Sequence, residues 1–77
     1  MIETPFGPLR GPLRVYEGYI REIIGEYGLD GKVEEFQQVG REAVYRADEV
    51  IDSDIQPAQR NVKMYRHIRS SIRSAIG

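Results

Sequence analysis

Residues 32–76 read KVEEFQQVGREAVYRADEVIDSDIQPAQRNVKMYRHIRSSIRSAI, and the spacing of the apolar side chains in this stretch decides the fold class. At 100° per residue, Val33, Phe36, Val39, Gly40, Ala43, Val44, Ala47, Val50 and Ile51 fall in one stripe, as an amphipathic helix requires. Glu34, Glu35, Arg41, Glu42, Tyr45, Arg46, Asp48, Glu49 and Asp52 take the other side. Beyond Pro57 the stripe continues through Ala58, Val62, Tyr65, Ile68, Ile72, Ala75 and Ile76. Arg60, Lys63, Arg66, His67 and Arg73 lie mostly away from it. No period-two alternation competes, so the stretch predicts helix and the chain predicts an all-α fold.

Pro57 admits two geometries. Proline lacks an N–H and steers Gln56 away from the α region. Ser53 and Gln56 match a capping box, which starts a new helix at Ser53 and folds the chain into a hairpin. Alternatively, the apolar phase runs through Pro57 unshifted, as one long kinked helix would have it. The hairpin is the preferred expectation, because it sets the basic segment after Pro57 beside the acidic segment before it.

Working toward the N-terminus, Leu13, Tyr16, Tyr19, Ile20, Ile23, Ile24 and Tyr27 make the apolar face of another helix. Pro12 suits its first position, Gly28 suits the left-handed residue that ends it, and Leu29 supplies the apolar contact that follows. Asp30 is then placed to cap the long second segment. The predicted helices span 12–28, 31–53 and 55–76, and connections this short imply antiparallel neighbours. Gly18 and Gly25 point away from the apolar face. Each costs about 1 kcal/mol against Ala in a helix. They read either as tolerated glycines or as a smooth track where a partner helix comes close. Gly40, Ala43 and Ala47 read as ordinary close helix packing.

Three of the four prolines fall within residues 1–12, and a tandem Gly-Pro-Leu-Arg occupies 7–10 and 11–14. Pro5, Pro8 and Pro12 each remove a backbone donor, so residues 1–11 predict an extended arm, polyproline-like in places. Ile2, Phe6 and Leu9 are its apolar anchors, for its own helices or for a neighbouring subunit. Residues 12–77 then form a single small helical domain.

With 77 residues the core is marginal, and with no cysteine neither disulfides nor a cysteine metal site can reinforce it. No apolar run approaches the ~18 residues of a membrane span, and no leader pattern precedes the arm. The expected location is the cytoplasm, or a particle assembled inside a cell. The net charge of −1 conceals a dipolar chain. Residues 17–54 carry eleven acids against four bases, whereas 57–77 carry five bases and no acid. Such segregation favours antiparallel pairing within the chain or complementary contact between copies.

Catalytic chemistry finds little support. The one histidine, His67, is flanked by Arg66 and Arg69. Ser70, Ser71 and Ser74 have no acid near them in sequence to orient a base. Asp48, Glu49, Asp52 and Asp54 cluster, and Asp52-Ser53-Asp54 opens like a calcium loop. Pro57 then stands where that loop needs Gly, and Lys63 where it needs Glu. These acids read as solvated groups or as partners for Arg60 and Lys63. No phosphate loop, paired-carboxylate site or dinucleotide fingerprint is present, so no cofactor, metal or small-molecule substrate is expected.

The sequence therefore predicts a non-enzymatic structural or assembly subunit of a homo-oligomer or larger multiprotein particle, such as a virion. Its expected contact residues are Ile2, Phe6 and Leu9 on the arm, Gly18 and Gly25 on the first helix, and Arg60, Lys63, Arg66 and Arg73 facing acidic surface. A second reading is a small nucleic-acid-binding protein using the basic segment 57–77. A third is a small inhibitor or adaptor that binds one partner protein.

Overall fold

The computed structural model describes Leu9, residues 11–51 and residues 54–77. A 3-10 helix, Gly11–Val15, leads into α1, Tyr16–Glu26. A short 3-10 turn, Asp30–Lys32, precedes α2, Val33–Val50, and α3 runs Pro57–Ile76. The fold is all-α, and no strand forms among the described residues.

The turn after α1 follows from local chemistry. Gly28 stands at φ 67°. From there the Gly28 N–H donates to the Gly25 carbonyl and the Leu29 N–H to the Ile24 carbonyl. This is the paired closure that satisfies the last carbonyls of a helix, with glycine in the left-handed position. Leu29 folds back against the core, as the sequence predicts. Asp30 does not cap α2: Lys32 holds the N-cap position, with no side-chain hydrogen bond. The intervening 3-10 turn displaces Asp30 from the helix start.

Pro57 resolves as a hairpin. α2 ends at Val50, and Ile51 turns extended (φ −77°, ψ 127°). Gln56 is the extended N-cap residue of α3 and Pro57 sits in its first turn, where the missing N–H costs nothing. Gln56 rather than Ser53 is thus the cap residue, and Ser53 itself lies outside the described residues. Arg60 pairs with Asp48 near the turn, while Phe36 and Ile76 line one groove at the far end. α2 and α3 are therefore antiparallel. Tyr16 meets Asn61, and Arg69 meets Glu26, so α1 and α3 run parallel. The result is an up-down-up three-helix bundle.

Its core comprises Ile20, Ile23 and Ile24 of α1, Phe36, Ala43, Val44 and Ala47 of α2, and Met64, Ile68 and Ile72 of α3, with Leu9, Tyr16 and Ile51 joining them. Gly40 lets α1 and α2 approach closely, since a Cβ there would lie 2.8 Å from both Ile20 γ carbons. Two parts of the predicted stripe are corrected. Val50 is 72% exposed, because α2 ends there and Ile51 turns inward instead. On α3 the buried ladder is Met64, Ile68 and Ile72, while Ala58, Val62, Ala75 and Ile76 are exposed. The hairpin breaks the helix, so α3 takes a new phase, set by packing against two partners at once.

Candidate protein-interaction surface

The outward face of α3 is where unpaired charge collects. Lys63, Arg66 and Arg73 are exposed. On a helical wheel they fall within an arc of about 80°, and they span about 15 Å along the axis. None has an ion-pair partner among the described residues. No acidic residue occurs on α3 to compensate them. His67, Gln59, Ser70 and Ser74 are exposed on the same helix.

The other two bases of α3, and Arg41 and Arg46 of α2, are engaged within the fold. Arg60 pairs with Asp48 across the hairpin, and both side chains are half-buried. Arg60 thus serves the fold rather than a partner, as the Asp48 cluster allowed. Arg41 Nε donates to Glu17 Oε1 at 2.9 Å, and the Leu9 N–H donates to the same oxygen at 3.0 Å. One carboxylate therefore ties together the root of the arm, α1 and α2. Arg69, absent from the expected contact set, lies 3.3 Å from the Glu26 carboxylate and 5.8 Å from the Tyr27 ring centroid. Its pKa is raised, first by a hydrogen bond to the Tyr27 side chain and then by the Glu26 charge. Tyr65 packs edge-on against Tyr19 at 5.5 Å and is half-buried, so it belongs to the α1–α3 seam. Only tertiary proximity reveals these pairings.

Exposed acids are concentrated on the first two helices and the turn between them: Glu22, Glu26, Asp30, Glu34, Glu35 and Glu49. Arg21, Lys32 and Arg46 interrupt them, and Arg46 is engaged with Glu42. The molecule is thus basic along one helix and mainly acidic on its other helices.

The remaining expected contacts scatter. Leu9 is 3% exposed and packed into its own core, so its side chain is not offered to a neighbour. Ile2 and Phe6 lie outside the described residues. Gly18 and Gly25 are exposed, and a Cβ added at either would meet no atom within 4 Å. Neither glycine is packed against another part of the described fold. Among the described residues no three His, Asp or Glu side chains gather as a metal would need, and no helix is long and apolar enough to cross a membrane.

Two open grooves flank the ends of the bundle. One, of about 360 Å³, lies where Leu29 and Phe36 meet Ala75 and Ile76. The other, of about 550 Å³, lies between the 3-10 helix and the start of α3. Of the residues the sequence marks as expected contacts, only Arg60 lines either groove. Comparison with known protein families, characterised proteins and solved structures finds no match to the chain.

Proposed function

We propose that the chain is a non-enzymatic assembly subunit of a homo-oligomer or larger multiprotein particle. In this reading the basic face of α3 meets acidic surface on neighbouring copies or other subunits. One observation carries it: Lys63, Arg66 and Arg73 stand exposed without ion-pair partners among the described residues on a helix that lacks acids, while most of the exposed acids lie on the other two helices and the turn between them. Contact between such unlike faces is heterologous, so it builds rings or open chains according to the rotation between copies. Complementary charge fixes register and speeds encounter more than it adds affinity.

The test is molar mass in solution by light scattering, across protein concentration and salt. Masses above the 8.8 kDa monomer at low salt are expected. They should fall as salt screens the charged contact, because the Debye length shrinks from about 30 Å at 0.01 M to about 3 Å at 1 M. The variant Lys63→Glu/Arg66→Glu/Arg73→Glu should keep its helicity and lose the low-salt assembly. A monomer at every salt overturns the reading. Tight binding to nucleic acid by that monomer, falling steeply with salt, would transfer the basic face to phosphate recognition.

A further inference from the structure

The outer surface along the seam of α1 and α3 carries apolar side chains that the fold leaves unburied. Val15 is 67% exposed and Val62 54% exposed, and Ala58 is exposed as well. Two contacts across the seam fix their places. The Tyr16 hydroxyl donates to Asn61 Oδ1 at 2.8 Å, and the Tyr19 and Tyr65 rings meet at 5.5 Å. Val15 and Val62 each adjoin a member of the first pair, so they stand level on neighbouring helices. At 100° per residue, Val15 lies about 40° beyond Tyr19 and Val62 about 60° beyond Tyr65, in each case away from the core. The valines and Ala58 therefore flank the outer side of the half-buried tyrosine pair. Exposed apolar side chains gathered in one place and rimmed by charge mark a contact surface.

About two turns farther along both helices the same surface becomes charged, and the charge is divided by helix. Glu22 and Glu26 stand on the α1 side, in the arc that holds Val15 and Tyr19. Arg69 stands on the α3 side, in the arc that holds Val62 and Tyr65. Arg69 lies 3.3 Å from Glu26, and both side chains are nearly half exposed. Glu22 is exposed and has no ion-pair partner among the described residues. We propose that this seam is the two-fold interface of a parallel homodimer. Val15 and Val62 of one copy pack on Val62 and Val15 of the other, and Arg69 sits between its own Glu26 and the partner's Glu22.

The second copy is argued from charge and register. A two-fold axis along the seam lays α1 of each copy over α3 of the other, in the same direction and at the same height. Val15 to Glu22 and Val62 to Arg69 are each seven residues, a rise of about 10.5 Å, so aligning the valines also aligns the charges. Valine then meets valine and glutamate meets arginine, each twice over. That is the self-complementarity a closed two-fold contact needs. An axis across the helices would set the apolar end on the charged end. A phosphate-bearing surface, whether lipid or nucleic acid, would meet Glu22 and Glu26 as like charges. Lys63, Arg66 and Arg73 lie on the far side of Val62 from the seam, so they remain for the charged contact proposed above, and the dimer is a further one.

The centre of this contact is apolar, so it outlasts salt that screens the face of α3. Light scattering in about 1 M salt, across protein concentration, should give about twice the 8.8 kDa monomer mass. Val15→Arg places a charge in the apolar patch and should give a monomer with unchanged helicity. The chain has no cysteine, so introduced thiols report the register. Val15→Cys chains mixed with Val62→Cys chains under mild oxidation should form a hetero-linked dimer, in clear excess over Val15→Cys with Glu49→Cys. Equal yields with both partners overturn the proposal. So does a monomer at every concentration in high salt, or a dimer that Val15→Arg leaves intact. The two contacts fail separately: larger assemblies that fall to monomer in high salt remove only the seam dimer, whereas a dimer at every salt that never grows larger removes only the charged contact.

Discussion

A methyl group added at Gly40 would meet Ile20 at 2.8 Å, whereas one added at Gly18 or Gly25 would meet nothing. These glycines should therefore respond in opposite ways. Gly18→Ala removes an exposed mid-helix glycine and should stabilise the fold by up to about 1 kcal/mol. Gly40→Ala gains the same propensity, but overpacking against a β-branched side chain costs about 1–3 kcal/mol, so a net loss is expected. Urea midpoints for the two variants, moving in opposite directions, would check this. Glu17 is the other residue whose weight exceeds its appearance. Its carboxylate accepts from Leu9 and from Arg41, and its side chain is only 23% exposed. Glu17→Ala leaves the Leu9 N–H and the Arg41 guanidinium without that acceptor, at an expected cost of about 1–3 kcal/mol. Faster hydrogen exchange at the Leu9 amide would accompany the loss.

Among the elements, α1 was the most legible in sequence and α3 the least. The face of α1 and its glycine closure depend on residues within a few positions of each other, so they could be read directly. The apolar positions of α3 were assigned by continuing the phase of α2, which selected Val62 and passed over Met64. The hairpin invalidates that continuation. Met64→Ala should cost about 2–5 kcal/mol by opening a cavity in the core. Val62→Ala should change stability by less than about 0.5 kcal/mol, as surface substitutions do. Thermal unfolding followed by circular dichroism would reveal the contrast, and equal effects would place α3 in the wrong rotation.

For the whole molecule, a core drawn from so few residues leaves stability sensitive to anything that binds the folded state. If copies associate through the basic face of α3, the unfolding temperature should rise with protein concentration. That dependence should weaken in the triple Lys63/Arg66/Arg73→Glu variant and at high salt. Concentration-independent unfolding at low salt would argue against association. The sequence exposed the charge segregation behind this expectation, but it did not reveal which bases remain available. Arg60 and Arg69 looked equivalent to Lys63 and Arg66 along the helix. In the bundle the first two meet Asp48 and Glu26, and the others face solvent.

The sequence by itself determined the helical class, the close of α1 at Gly28 and the division of charge along the chain. Each of these depends on backbone sterics or on periodicity within one element, which act over a few residues. Tertiary structure decided the hairpin, the rotation of α3, the burial of Leu9, and the pairing of Glu17 with Arg41 and Asp48 with Arg60. Periodicity sets angles within a helix but carries no phase across a break. Which charges neutralise one another, and which remain for a partner, is settled only when three amphipathic faces must bury against each other at once.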